Sequence, residues 1–325
     1  MRLAGLLVCL LSLGPACAQD VAECKPYERL QYPAADQPSG PQAASLAKCS
    51  ADSHYYGIGS PVDYAKARLC AFVAEDAPYQ PSKGVLMMVY ANGLGVPRNY
   101  GLAKKAACET FAAQAETEAR LQHLERMQLG KAGPAPKIDL CDDITSGEMG
   151  GYCASVHSSL ATQERERVSA ALTAKWNAES REAFGRLRAK ADGFIEARGG
   201  EVDRSGSARV AFVVEEQDRQ RADLLKSLRE FEAGKLPGMS REEFATADRE
   251  MNVVYQQLKR SRDPGFPGAV KMVDILQAQR AWLAYRDEWV RFGKVRYPAV
   301  ADFAWEGYFT RKRTGMLREL LIGRR

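Results

Sequence analysis

Histidine is scarce in this chain: His54, His123 and His157 are its three, scattered through 325 residues. None belongs to an H-E-x-x-H zinc motif. A G-x-S-x-G nucleophile elbow and a glycine-rich phosphate loop are also missing. With these signatures gone, the residues point to a protein that is not an enzyme and needs no cofactor or metal. The carboxylate pairs Asp142-Asp143 and Glu242-Glu243 sit at expected helix starts, where the helix dipole favours negative charge without any chemistry. No apolar run reaches the roughly 20 residues that span a bilayer. Cysteine is absent beyond residue 153, so the C-terminal half must rest on its core alone.

What is present begins with "MRLAGLLVCLLSLGPACAQD". A single Arg2, a short apolar run and Ala16-Cys17-Ala18 read as a secretory signal over residues 1–18 with an A-x-A cleavage site. The expectation is an exported, periplasmic protein; the alternative is lipid anchoring through Cys17, although Gly14 fits a lipobox poorly. Export makes nucleic acid an improbable partner. Cleavage leaves six cysteines, Cys24, Cys49, Cys70, Cys108, Cys141 and Cys153, an even number suited to disulfides in an oxidising compartment. Six allow fifteen pairings, and their spacings fit no zinc pattern. Charged residues make up 27% and the net charge is +5, a globular and moderately basic balance.

Residues 49–70, "CSADSHYYGIGSPVDYAKARLC", and 85–108, "VLMMVYANGLGVPRNYGLAKKAAC", repeat one pattern. Gly57, Gly59, Pro61 and Tyr64 recur as Gly93, Gly95, Pro97 and Tyr100, a period on the scale of helical-hairpin solenoids. "YYGIG…DYAKA" and "YANGLGV…NYGLAKKA" resemble the Sel1-like repeat, with Leu102 departing from its pattern. The resemblance implies stacked helices that offer a surface to a protein partner. Cys49 and Cys70 are equally far from the turn centre, and across an antiparallel hairpin that symmetry pairs them. His54 reads as an ordinary helix residue.

After "LGKAGPAPKIDL" the character changes. Thr145-x-x-Glu148 and Ser240-x-x-Glu243 read as capping boxes that each open a long helix. Phe194-x-x-x-Arg198 parallels Trp282-x-x-x-Arg286, and "RQRADLL" (219–225) parallels "RKRTGML" (311–317). The same order of landmarks in both halves predicts an internal duplication. The second half is similar to the lysozyme inhibitor LprI-like domain, through Ala247-Asp248, Met251-Asn252, Tyr255 and Leu258 in "ADREMNVVYQQL". Gln279-Arg280, Trp282 and Tyr285-Arg286-Asp287 in "AQRAWLAYRD" continue the match, with Thr310, Arg313 and Leu317 after them. "CDDITSGEMGGYC" resembles the family's opening and implies a Cys141–Cys153 bridge; Cys24–Cys108 then follows by elimination. Where the family often carries a second cysteine pair, this chain has Trp289 and Trp305, which predicts aromatic packing in place of a covalent link.

The expected architecture is all-α. A signal peptide (1–18) and an N-terminal segment (19–40) precede a Sel1-like domain (41–125) and a linker (126–140). A degenerate LprI-like unit (141–236) and a second one (237–325) follow. In "ILQAQRAWLAYRDEWVRF" the spacing of Ile275, Ala278, Trp282, Tyr285, Trp289 and Phe292 makes one buried stripe. Arg286 is placed to stack on a ring, and Asp287 to pair with Arg280, Arg291 or a helix end. These four positions, Trp282, Tyr285, Arg286 and Asp287, therefore read as structure.

Binding is better sought in the loops. "RGGEVDRSGS" offers Glu201 and Asp203, and "RDPGFPG" offers Phe266, as candidate fingers. The LprI resemblance implies an exported inhibitor of a lysozyme-like muramidase, acting by insertion of an acidic loop. The basic C-terminal segment argues partly against that, because animal lysozymes are themselves basic. A scaffold that meets a protein partner and an anionic envelope surface through "FTRKRTGMLRELLIGRR", or a toxin-neutralising immunity protein, is the alternative.

Overall fold

The computed structural model describes residues 21–75, 81–133, 136–260, 266 and 268–322. The expected leader, with Cys9 and Cys17, and the terminal Arg324 and Arg325 lie outside the described residues. The fold is all-α: every regular element among the described residues is helical. The chain divides into two compact units, Met1–Tyr55 with Asp63–Asp143, and Tyr56–Val62 with Ile144–Arg325.

The first unit contains α1 (Gly40–Ser45), α2 (Ala51–Tyr56), α3 (Tyr64–Val73), α4 (Ser82–Asn92), α5 (Tyr100–Glu109) and α6 (Gln114–Gln128). Both G-x-G turns use positive φ at each glycine, 77° and 70° at Gly57 and Gly59, 68° and 74° at Gly93 and Gly95. Glycine reaches that region without the Cβ penalty that other residues incur. The turns close alike. The Asp63 N–H donates to the His54 carbonyl at 2.9 Å, and the Asn99 N–H to that of Tyr90 at 3.0 Å. Asp63 and Asn99 then cap α3 and α5 by accepting from the Lys66 and Leu102 N–H groups. The two copies thus share one local geometry.

The core of this unit is α4, whose residues from Val85 to Ala91 are all buried. Ala67 and Ala71 of α3 and Ala103, Ala106 and Ala107 of α5 are buried with it. Small side chains bring the three helix axes close together. Cys24 is bonded to Cys108 and Cys49 to Cys70, with Cα separations of 5.7 and 5.4 Å. Cys141 is disulfide-bonded as well. The stretch expected as a linker differs from expectation. Helix α6 runs through residues 126–128, and Ile138 and Leu140 are buried. The Asn92 amide donates to the Ile138 carbonyl at 2.8 Å and accepts its N–H at 2.9 Å. Two apolar side chains and a backbone satisfied by Asn92 hold this segment to the first unit.

The second unit contains α7 (Gly147–Thr173), α8 (Ala178–Arg198), a single 3-10 turn (Gly199–Glu201), α9 (Arg209–Glu232), α10 (Arg241–Arg260), α11 (Met272–Arg296) and α12 (Asp302–Ile322). Ser240 and Glu243 form the expected reciprocal cap of α10. At α7 the cap is Ser146, which accepts the Met149 N–H at 3.2 Å, not Thr145. Helix α7 packs along α9, α10 along α12 and α8 along α11. At Gly151 a Cβ would lie 2.9 Å from Val210 Cβ, so the α7–α9 crossing requires glycine there. Residues 141–236 and 237–325 were expected as separate units. From Ile144 onward they form one unit, with buried residues of α8 and α9 in the same apolar cluster as those of α10, α11 and α12.

Candidate functional site

The aromatic stripe of α11 is core. Trp282, Tyr285 and Trp289 are buried, and Trp305 of α12 is fully buried beside them. The Trp289 and Trp305 rings stack with centroids 6.1 Å apart and planes 12° from parallel. Phe309 stacks on the Trp289 ring at 4.7 Å, and Phe231 of α9 meets Trp305 edge-on at 5.0 Å. The Arg286 guanidinium lies 5.2 Å from the centre of the Trp282 ring. Asp287 accepts from Arg286 at 2.8 Å, while Arg291 goes to Glu288. This polar pair seats an arginine on the core edge.

The loop nominated for binding is arranged differently from expectation. Glu201 is 3% exposed and closes the 3-10 turn after α8. Its carboxylate receives two bonds from Arg313 of α12, at 2.8 and 2.6 Å, and another from Arg198 at 2.5 Å. Arg198 also donates to Glu216 of α9 at 2.7 Å, Gln220 donates to the same carboxylate, and Gln279 of α11 accepts from Arg313 at 2.9 Å. Two guanidiniums and two carboxylates therefore balance inside the unit, each almost wholly buried. Burial pushes the Glu201 carboxyl upward, but Arg313 and then Arg198 outweigh it and hold it below the ordinary glutamate value. Glu201 is therefore no acidic finger: a chain folded around two arginines cannot release this carboxylate to a partner without stranding buried charge.

Asp203 accepts the N–H and hydroxyl of Ser205, at 2.7 and 2.6 Å, and makes a longer contact of 3.4 Å with the Ala269 N–H. It tightens its own turn. Phe266 is partly buried and packs against the apolar cluster, so it does not protrude either. The basic row of α12 is likewise split by packing. Arg313 is buried, and Lys312 donates to Asp223 at 2.7 Å and to Ser227 at 2.8 Å. Among the described residues of this row, Arg311 and Arg318 remain exposed.

Sequence reasoning recognised Arg198 and Arg313 as landmarks but not their meeting. The Arg198–Glu201 spacing was legible as a helical i,i+3 pair. The Glu201–Arg313 contact joins positions 112 residues apart, and no local spacing announces it. In the first unit the ligand atoms of Cys49, His54 and Cys70 lie within 4.8 Å of one another. The two sulfurs are bonded to each other, which removes both thiolates from ligation.

The second unit is thus a helical domain whose conspicuous side chains are structural. Residues 230–317 match the family described as Lysozyme inhibitor LprI, from the last residues of α9 to the middle of α12. Comparison with curated proteins and with solved structures gave no match. Among the described residues no helix is long and apolar enough to cross a membrane.

Proposed function

We propose that this is an exported binding protein whose α10–α12 segment engages a lysozyme-like muramidase and blocks it. The observation that carries the reading is the family match over residues 230–317. The disulfides suit an oxidising compartment, and the surface of the matched segment supplies a contact face. On α11, Val273, Leu276 and Leu283 point outward on the side opposite the buried stripe, and Val273 is 63% exposed. Val253 of α10 is another exposed aliphatic side chain of the same segment. Exposed apolar side chains grouped on one helix face favour a protein partner over solvent.

The test is clearing of a peptidoglycan suspension by a muramidase in the presence of the full chain, with capture on muramidase-coated resin in parallel. Wild type inhibits and is captured; Leu276→Glu with Leu283→Glu loses both while keeping its helicity. A wild-type chain that neither inhibits nor binds would overturn the reading. A second reading, a protein-interaction scaffold or toxin-neutralising immunity protein, draws on the two identically closed hairpins of the first unit. Stacked hairpins of that kind present a broad surface to a protein. Capture of a partner by residues 21–143 alone, with the α11 variant still competent, would favour it.

A further inference from the structure

Helix α7 changes character at Val156, its last buried residue. Residues 157–173 are all at least partly exposed, although the helix continues to Thr173. The stretch is rich in alanine, glutamate and arginine, which keep a helix without burial, and Glu164 and Arg167 pair along it at 2.7 Å. In the second half of the unit, α10 buries Met251, Val254 and Leu258 in the shared cluster. On α7 the row that lines this side is instead Thr162, Arg165, Glu166 and Ser169, polar side chains in place of apolar ones.

A cleft of about 280 Å³ lies along this row. Its floor is Phe184 and Ile195 of α8 with Leu224, Leu225 and Leu228 of α9. Arg165, Arg188 and Arg221 stand around it, against the carboxylates Glu166 and Asp192. Arg165 is committed, donating to Asp218 and to the Thr162 hydroxyl at 2.7 Å each. The other two are held loosely: Arg188 reaches Glu166 at 3.9 Å, and Arg221 reaches Asp218 at 3.5 Å. Both are part-exposed and keep N–H donors to spare.

We propose that this cleft binds a single-chain amphiphile with an anionic head. The chain lies along the part-exposed Leu224 and Leu225, above the buried Phe184, Ile195 and Leu228, and the carboxylate or phosphate sits between Arg188 and Arg221. Ligand pockets run from about 300 to 1,000 Å³, so a cavity just under that range suits one short chain rather than a two-chain lipid. Guanidiniums favour the planar, multi-oxygen heads of carboxylates and phosphates. Every residue of the cleft precedes residue 230, so the site is independent of the segment assigned to muramidase binding.

Calorimetric titration of the full chain with dodecanoate, below its micellar concentration, tests the proposal. Dodecyl maltoside carries the same chain on a neutral head, and acetate carries the head without a chain. Dodecanoate should bind about tenfold or more tightly than the maltoside, one charge-assisted contact's worth, and acetate should give no heat. Dodecyl phosphate in place of dodecanoate distinguishes a phosphate-headed ligand from a fatty acid. Arg188→Gln with Arg221→Gln should weaken dodecanoate about tenfold and leave the maltoside unchanged. Thr162→Leu with Ser169→Leu closes the cleft from the α7 side, and should raise the melting temperature while abolishing binding. Equal affinity for the two detergents, wild-type dodecanoate binding in the arginine variant, or retained binding in the filled variant would each overturn it.

Discussion

The two units hold themselves together by different means. The first packs alanines and glycines closely around α4 and ties its ends with Cys24–Cys108 and Cys49–Cys70. The second, where no cysteine follows residue 153, relies on stacked indoles and a buried ring of ion pairs. A unit built from small side chains buries little apolar area per residue, so restricting its unfolded chain contributes more. A unit with four tryptophans in one cluster gains enough from burial to carry no cysteine beyond residue 153. The stacking of Trp289 on Trp305 puts aromatic surface where the resemblance predicted that a cysteine pair had been replaced.

Reduction is the strongest way to separate the two strategies. Loops of 84 and 21 residues are closed by the first unit's bridges. Their loss corresponds to about 4.5 and about 3 kcal/mol in the chain-entropy account. Hydrogen exchange after reduction should show α3–α5 opening while α11 and α12 stay protected; equal loss of protection in both units would break the comparison. Next come the interior substitutions. Glu201→Ala leaves two buried guanidiniums facing each other and should cost about 3–5 kcal/mol in urea unfolding. Trp282→Ala removes a fully buried indole and should cost about 3–5 kcal/mol. A near-neutral outcome for either would move that residue from scaffold to surface.

Acid sharpens the contrast less sharply. Glu201 and Glu232 both have lowered folded-state values. For Glu232, burial raises the carboxyl, and Arg296, Tyr297 and Trp176 more than reverse it. Lowered carboxylates stabilise the fold above the ordinary glutamate value of about 4.3, and that contribution is withdrawn as pH falls through the folded-state values. The ellipticity of the second unit should therefore collapse below about pH 4, and a melting temperature flat to pH 2 would contradict the ionic account. The smallest effect is expected at Arg286→Ala, about 1 kcal/mol for a cation seated on the edge of one ring. A far larger loss would show that its pairing with Asp287 orders more than one turn.

The helical class, the α11 stripe and the paired G-x-G turns were legible because each rests on a local period or a local φ requirement. The cap of α7 was misplaced by one residue because Thr145 and Ser146 are both competent caps, and only packing selects between them. The shared core of residues 144–322 was not legible. Sequence landmarks mark where a pattern repeats, not whether its copies bury the same side chains. Glu201 shows the same limit in a single residue. Its neighbours are two glycines, an aspartate and two serines, the composition of a solvated turn. Its partner lies in another helix.

That partner also constrains the order of events as the chain is made. Arg313 follows Glu201 by 112 residues, and the ring that includes Arg198 and Glu216 stays incomplete until α12 is available. A nascent chain can form α7, α8 and α9, but docking them would desolvate a carboxylate pair that lacks one of its two cations. The penalty favours an open intermediate until the last helix arrives, and then rewards closure all at once. Contacts between such distant positions also slow folding, because the loop must close before the contact stabilises anything. Completion of the ring thus couples α8 and α9 to the arrival of α12.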